Sequence, residues 1–206
     1  MEPKQQKINE IIGINGKKGS GKSYFVQHKI IPSLGAFIIL DKMEEYRGGM
    51  VFENPGIMKT YIQRMIKAGK MYKCIFRWTN DDQIEQVWEM LCDGEKMLLE
   101  NFTLVVEEVD LYCDSYGIQP ELDYLIRYGR HDSVSLIWVS RSPFEINRML
   151  TRLTDVYVTF VQSEPRDINW LKDFNWSKDP TTLARYEYGY ANLSGDERVL
   201  KKFNLI

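Results

Sequence analysis

Residues 16–23, Gly16-Lys17-Lys18-Gly19-Ser20-Gly21-Lys22-Ser23, restrict the fold of this chain more than any other stretch. They satisfy G-x-x-x-x-G-K-[ST] at every fixed position. An apolar pair, Ile11-Ile12, leads in, and a helix-like run, Tyr24-Phe25-Val26-Gln27-His28-Lys29-Ile30-Ile31, leads out. A glycine-rich turn between a strand and a helix aims successive main-chain N–H groups at one anion, and the helix adds the positive end of its dipole. The pattern therefore calls for an α/β fold with a buried strand ahead of the loop, and for a nucleoside triphosphate on the loop. Gly16, Lys17, Lys18, Gly19, Ser20, Gly21, Lys22, Ser23 and Tyr24 form the cradle. Lys22 reaches the β and γ phosphates. Ser23 offers a hydroxyl to Mg2+, a hard cation that takes oxygen ligands.

Hydrolysis needs acids as well as a cradle, and residues 102–110 supply them. Phe102-Thr103-Leu104-Val105-Val106 is an apolar, β-branched run suited to a central parallel strand, and Glu107-Glu108 follow it directly. Side chains alternate along a strand, so adjacent acids are expected on opposite sides. Glu107 is assigned to the magnesium shell, directly or through water. Glu108 is assigned to orienting or deprotonating the attacking water. A solvated acidic strand end is the competing reading.

Composition sets the frame for these motifs. With 206 residues, 44% hydrophobic and 27% charged, the chain has material for one sizeable core. The expectation is a single P-loop ATPase domain over residues 1–206, with a core at about 10–165 and a C-terminal helix and β ribbon at 164–206. Cys74, Cys92 and Cys113 are scattered without a C-x-x-C pair, which fits reduced buried thiols rather than a disulfide framework. Neither a signal-peptide core nor an apolar run long enough to span a bilayer is expected. A formal charge of -2 argues against a chain that coats nucleic acid over its whole surface, yet permits a local basic face.

Strand-like runs recur at residues 11–15, 36–40, 74–78, 103–106, 134–140 and 156–161, with helix-period segments between most of them. Such alternation predicts a three-layer α/β fold, a mostly parallel central sheet with helices on both faces. Ile84, Val87, Trp88 and Leu91 follow a cap at Asn80-Asp81. Ile168, Leu171 and Phe174 follow the start signal Ser163-Glu164-Pro165. Leu122, Leu125 and Ile126 form a third stripe, which is expected to end at Gly129. The tail from residue 185 to 203 reads as a terminal β ribbon turning at residues 192–196.

The strand at 134–140 follows the acid-tipped strand and ends in Ser140-Arg141, the candidates for sensing the γ phosphate, because ligands of open α/β sheets sit beyond the strands' carboxyl ends. Ahead of it stand Arg127 and Arg130. Arg130 is the first candidate, and Arg127 the second, for an arginine supplied across a subunit boundary to stabilise charge on the transferred phosphoryl. A surface or salt-bridged role is the alternative for each.

Taken together, GKKGSGKS, LVVEEVD and RYGRH followed by LIWVSRSP resemble the FtsK/HerA branch of P-loop ATPases, of the RecA-like type. ILDKMEEY at residues 39–46 is similar to the acidic segment after the second strand in that branch. Within it, a chain of this size most resembles the genome-packaging ATPases of icosahedral internal-membrane viruses, including the archaeal turreted viruses. The resemblance spans about residues 10–165. It implies a ring homo-oligomer that uses ATP and Mg2+ to drive double-stranded DNA through a central channel. It also implies a capsid-vertex or membrane protein as partner, and a place in the host cytoplasm or at a virion vertex. The chain departs from the family in carrying Arg141 where Gln is usual. A small-molecule or nucleotide kinase is the runner-up, although two adjacent strand-end acids weigh against it. A phage-assembly ATPase acting at a membrane is the third reading.

Residues 54–80 contain Lys59, Arg64, Lys67, Lys70, Lys73 and Arg77 and no acid. Met58, Tyr61, Ile62 and Met65 make one helical face there, with Lys59, Gln63 and Lys67 on another. Lys59, Arg64, Lys67 and Lys70 are the candidate DNA contacts, since sequence-blind transport needs positive charge toward phosphate rather than base readout. A solvated basic face explains the same pattern. The loop at residues 112–119 follows the catalytic acids and is the candidate for coupling hydrolysis to movement in the channel.

Overall fold

The computed structural model describes residues 9–93, 95–172, 182–193 and 197–202. Nine strands among them form one sheet in the order β3-β4-β2-β5-β6-β1-β7-β8-β9. They are β1 (Ile11–Asn15), β2 (Phe37–Leu40), β3 (Met50–Phe52), β4 (Lys73–Phe76), β5 (Phe102–Val106), β6 (Val134–Ser140), β7 (Val156–Thr159), β8 (Glu187–Asn192) and β9 (Glu197–Lys202). The first seven run parallel, and β8 and β9 add an antiparallel edge.

Apart from β3 at the edge, both faces of the parallel strands are largely buried, which is why they read as continuous apolar runs rather than as an alternation. Ile38, Leu40, Leu104, Val106, Leu136 and Trp138 point to one face. There they meet α2 (Pro55–Lys67), α3 (Asp81–Leu91), α4 (Pro120–Tyr128) and α5 (Arg148–Leu153) through residues such as Met58, Ile62, Val87, Trp88, Leu122 and Leu150. Phe37, Ile39, Val105, Ile137 and Val139 point to the other face, under Phe25, Val26 and Tyr46. The layers thus have helices on both sides, as the alternation of segments predicts, with most of them on one side.

Local signals start the helices. Asn54 accepts the Ile57 N–H at 3.0 Å ahead of Pro55, and Asn80 with Gln83 closes a capping box on α3. Pro120 and Pro165 open α4 and α6 (Pro165–Lys172), where a missing N–H costs nothing. Several boundaries differ from the expectation. The helix after the glycine loop, α1 (Lys22–Phe25), gives way to a π turn at Val26–Ile30 and a 3-10 turn at Ile31–Ser33, because Pro32 cannot continue the ladder. α4 ends at Tyr128 with Gly129 as its C-cap, as the sequence predicts, and the right-handed Gly129 leads into a 3-10 turn through Asp132 that Ser133 at φ 56 breaks. The strands expected at 36–40, 74–78 and 156–161 are Phe37–Leu40, Lys73–Phe76 and Val156–Thr159.

The C-terminal segment pairs as an antiparallel ribbon, β8 on β7 and β9 on β8. Phe174 and residues 194–196 of its turn lie outside the described residues. Cys74, Cys92 and Cys113 are buried free thiols. No helix among the described residues is long and apolar enough to cross a membrane.

Register fixes where a site forms. Asn15 at the end of β1 is level with Ser140 at the end of β6 and with Thr159 at the end of β7. The glycine loop, the tip of β6 and the turn after β5 therefore emerge at one edge, at the carboxyl ends of the strands, where open parallel sheets bind ligands.

Candidate active site

Asn15, wholly buried, ends β1 by accepting hydrogen bonds from Thr159 Oγ1 (2.8 Å) and Gln162 Nε2 (3.1 Å). Gly16 follows with φ 152, and a Cβ there would lie 2.6 Å from Phe160 Cβ, so a side chain would push the loop off the sheet. The Lys17 N–H then donates to the Val161 carbonyl at 3.1 Å, and Gly21, with φ 112, turns the chain into α1. Lys17, Lys18 and Gly19 are exposed along the loop, whereas Ser20 is buried behind it.

Lys22 is buried, and its Nζ donates to the Gly16 carbonyl at 2.6 Å and to the Lys17 carbonyl at 3.3 Å. Burial pushes its pKa below the ordinary lysine value, while the carboxylate of Glu107 pulls it back up. The ammonium thus sits inside the loop's curve, among partners that a phosphate can replace.

A cleft of about 100 Å3 gathers the chemistry: Lys18, Gly19, Lys22 and Ser23 line it with Glu45, Glu107, Glu108, Ser140 and Arg141. A cavity of about 830 Å3 lies instead among the amino ends of β2, β5 and β6, lined by residues such as Ala36, Phe102 and Ser135. Size does not locate the site here, because the convergent charged groups all face the smaller cleft.

The two acids do not point to opposite sides as strand alternation predicts. β5 ends at Val106, so Glu107 and Glu108 belong to the turn beyond it, and Glu108 takes the left-handed conformation at φ 50. Both carboxylates consequently line the same cleft. Their settings differ. Glu107 is 5% exposed and burial pushes its pKa from 4.5 to about 7, against the pull of a hydrogen bond from Tyr46. Glu108 is more open, and its Oε1 accepts from Arg141 Nη2 at 2.8 Å.

Tyr46 was not marked by the sequence as a site residue, yet it ties the two expected metal ligands together. Its hydroxyl donates to Glu107 Oε2 and shares a hydrogen bond with the Ser23 side chain. Buried Asp41, at the end of β2, holds it there. Asp41 accepts the N–H groups of Glu45 (2.9 Å) and Tyr46 (3.2 Å) and is itself paired with Arg77 at 3.2 Å. Arg77 Nη2 also donates to the Tyr46 carbonyl at 3.1 Å. Arg77 is thereby separated from the basic block to which its neighbours in sequence assign it: it belongs to the site's support.

Mg2+ can be tested against this donor set. Ser23 and Glu107 reach the same hydroxyl, so a hydroxyl oxygen and a carboxylate oxygen converge on one small volume beside the phosphate loop. Mg2+ commonly takes one or two protein oxygens and completes its shell with water and substrate phosphates, so the pair fits it. No cluster of three or more His, Cys, Asp or Glu fit for a metal occurs among the described residues.

The remaining candidates are dispersed. Ser140 is buried at the tip of β6, with its Oγ bonded to the main chain of Ser142, and Arg141 beside it is exposed toward Glu108. Gln162, which sequence reasoning passed over, is buried and donates to the Arg141 carbonyl at 3.2 Å as well as to Asn15, which locks the β6 tip to the loop's base. Arg127 pairs with Asp123 at 3.0 Å along α4. Arg130 is exposed on the 3-10 turn just before β6, at the amino edge of the sheet. Neither lines this chain's own cleft. Lys59, Arg64, Lys67 and Lys70 are all exposed on or just after α2, over the buried Met58 and Ile62, and have no ion pair among the described residues.

No family model and no curated protein matches the sequence. Solved structures do match. The genome packaging NTPase of Sulfolobus turreted icosahedral virus 2 in complex with AMP superposes with a TM-score of 0.76 at 20% identity, over 96% of this chain and 98% of that one. Its complex with ATP-gammaS gives 0.75 at 19% identity, over 96% and 98%. VirB4 of Thermoanaerobacter pseudethanolicus gives 0.64 at 14% identity, over 96% and 90%. The chain has the P-loop NTPase fold, shared over nearly its full length with a viral genome packaging NTPase.

Proposed function

We propose that this chain is an ATP hydrolase that assembles as a ring and drives double-stranded DNA into a viral capsid. The convergence of Lys22, Ser23, Glu107 and Glu108 in one cleft at the carboxyl edge of the sheet carries the hydrolytic part of this reading. The likeness to a packaging NTPase that binds AMP and ATP-gammaS supports the rest.

The main-chain amides of the loop cradle the phosphates, and Lys22 leaves the Gly16 and Lys17 carbonyls to pair with the β and γ oxygens. Mg2+ held by Ser23 and Glu107 would neutralise charge shared between those phosphates. Glu108 accepts the proton of the attacking water, and for this it must release Arg141, which in turn can meet the γ phosphate from the same chain. Arg130, or failing that Arg127, completes the cleft of a neighbouring subunit. Each lies at the edge of the sheet remote from its own cleft, a placement that suits action across a boundary.

Lys59, Arg64, Lys67 and Lys70 are the proposed phosphate contacts of the DNA. The loop at residues 112–119 is the proposed coupling element. Asp114 Oδ1 accepts the N–H groups of Tyr116 and Gly117 at 2.8 and 2.9 Å, which fixes the turn and leaves the Tyr116 side chain fully outward. A kinase would transfer phosphate to a second substrate instead of water. ATPase rate measured with and without linear double-stranded DNA, together with strand displacement from a triplex, tests the motor. DNA-stimulated turnover with displacement is expected. A rate indifferent to DNA, from a protein that stays monomeric with nucleotide, overturns it.

A further inference from the structure

Two exposed patches lie at opposite edges of the sheet, and each carries the charge the other lacks. The first is the end of α4 with the turn that follows it. Tyr128 is 47% exposed there, its ring 5.0 Å from that of half-buried Tyr124. Arg127, Arg130 and His131 stand exposed around it, and Arg130 and His131 have no ion pair among the described residues. The backbone fixes the turn: the Ser133 N–H donates to the Arg130 carbonyl at 3.4 Å, and the Asn101 N–H donates to the Asp132 carbonyl at 3.0 Å.

The second patch is the lip of the phosphate cleft. Met43 lines that cleft and is 54% exposed, and Glu44 and Glu45 beside it are exposed too. Glu44 has φ 58, a left-handed conformation that a glutamate keeps only where its neighbours hold it. They do so here: Asp41 accepts the Glu45 N–H at 2.9 Å, and Arg47 Nη1 donates to the Glu44 carbonyl at 2.9 Å. Arg77 Nη1 approaches Glu44 Oε2 at 3.6 Å, whereas Glu45 has no ion pair among the described residues. A methionine and two carboxylates are thus presented by a turn already in shape for docking, which lowers the entropy lost on contact.

The two patches cannot meet within one chain. The turn ends just before β6, Arg141 at the far end of β6 shares the cleft with Met43, and seven residues of strand hold the two about 20 Å apart. Complementary patches at opposite edges pair head to tail between copies, and repetition of such a contact can close a ring. We infer that the Tyr128 turn of one copy docks on the Met43 lip of the next. This rests on the ring reading and names the surfaces that meet. The Tyr128 ring packs against the Met43 thioether, a favourable pairing of sulfur with an aromatic edge. Arg127 and His131 on one side face Glu44 and Glu45 on the other and set the orientation. Arg130, two residues from Tyr128, is thereby carried to the mouth of the neighbouring cleft.

Thiol cross-linking of the full chain tests the contact and leaves Tyr128 and Met43 in place. Cys74, Cys92 and Cys113 are buried, so a short bis-maleimide reports on introduced thiols. With ATPγS, Glu45→Cys combined with His131→Cys should give a ladder of covalent oligomers. Neither single variant should do so, nor should Glu45→Cys combined with Met71→Cys, whose second thiol is exposed at the start of β4, three strands from β6. Tyr128→Ala should weaken assembly by about tenfold, as loss of an aromatic anchor does, and Tyr128→Phe should assemble like wild type. Equal ladders from the two double variants, or covalent dimers from Glu45→Cys alone in comparable yield, overturn the docking. So does a Tyr128→Ala protein that assembles like wild type but binds double-stranded DNA less tightly, which gives the turn to DNA. Sedimentation separates the two readings: oligomers without a ladder overturn the docking alone, whereas wild type that stays monomeric with ATPγS overturns the ring and the docking with it.

Discussion

Glu107→Gln should make the nucleotide-free protein more stable at alkaline pH while removing its ability to hold a metal. Glu107 is 5% exposed, and burial raises its pKa from 4.5 to about 7. An acid whose pKa rises on folding binds more protons in the native chain than in the unfolded one, so stability falls as pH rises between 4.5 and 7. At about 1.4 kcal/mol per pH unit, the full penalty above that window is at most about 3 kcal/mol. Gln cannot ionise, and its carbonyl still accepts the Tyr46 hydroxyl, so the variant escapes the penalty without leaving Tyr46 unpaired. At pH 8 the gain corresponds to a rise in Tm of about 6–12 °C, from about 2–4 °C per kcal/mol for a chain of this size. At pH 5 most of the gain should vanish. Thermal and urea unfolding in EDTA at the two pH values measures it. An equal shift at pH 5 and pH 8, or a loss at pH 8, would refute the argument that burial dominates this carboxylate. A more stable but inactive variant is what a site strained for function predicts.

Three further outcomes follow from the same geometry. Mixing Arg130→Ala with Glu108→Gln subunits, each inactive alone, should restore part of the ATPase rate, because some interfaces then combine an intact arginine with an intact acid; no recovery would place Arg130 outside the reaction. Arg77→Met should cost about 3 kcal/mol in urea unfolding, because it strands Asp41, a wholly buried carboxylate, and the nucleotide-free variant should lose the near-ultraviolet signature of a fixed Tyr46; an unchanged midpoint would show that the two backbone N–H groups suffice for Asp41. Lys67→Ala combined with Lys70→Ala should reduce the salt dependence of DNA affinity, flattening the slope of log K against log salt by roughly 1 per side chain, and a slope equal to wild type would remove them from the DNA surface.

Local chemistry made part of this molecule legible in advance. The glycine loop, β1 and β6 were read at their observed bounds because a buried parallel strand leaves a continuous apolar run and a phosphate loop leaves fixed spacings. β3 was missed: three residues long at the sheet's edge, with Met50 and Val51 exposed, it has neither the length nor the alternation of a strand signal. The relation between Glu107 and Glu108 was misjudged for a conformational reason. The strand stops one residue before them, and a left-handed glutamate turns the second acid back toward the first.

The support of the site was invisible for a different reason, since it is made of long-range contacts. Asp41 meets Arg77 across 36 positions of sequence, Tyr46 meets Glu107 across 61, and Gln162 meets Asn15 across 147. Nothing in the periodicity of ILDKMEEY marks its last tyrosine as the residue between Ser23 and Glu107. The sole advance hint was compositional, a buried-type aromatic closing an otherwise acidic segment after the second strand. Arg77 shows the converse error, a cation that belongs to a basic block by sequence and to an acid network by fold.

Single-turnover release of inorganic phosphate from ATP, followed in wild type and Glu108→Gln with nucleotide affinity measured in parallel, tests the central claim most directly. Phosphate released by wild type, and a Glu108→Gln protein that binds ATP with similar affinity but releases phosphate at least a hundredfold more slowly, is the predicted result, given the roughly 10²- to 10⁴-fold contribution of a positioned general base. Equal rates in the two proteins would contradict it, because the acid that shares the cleft with Lys22 would then have no part in breaking the γ-phosphate bond.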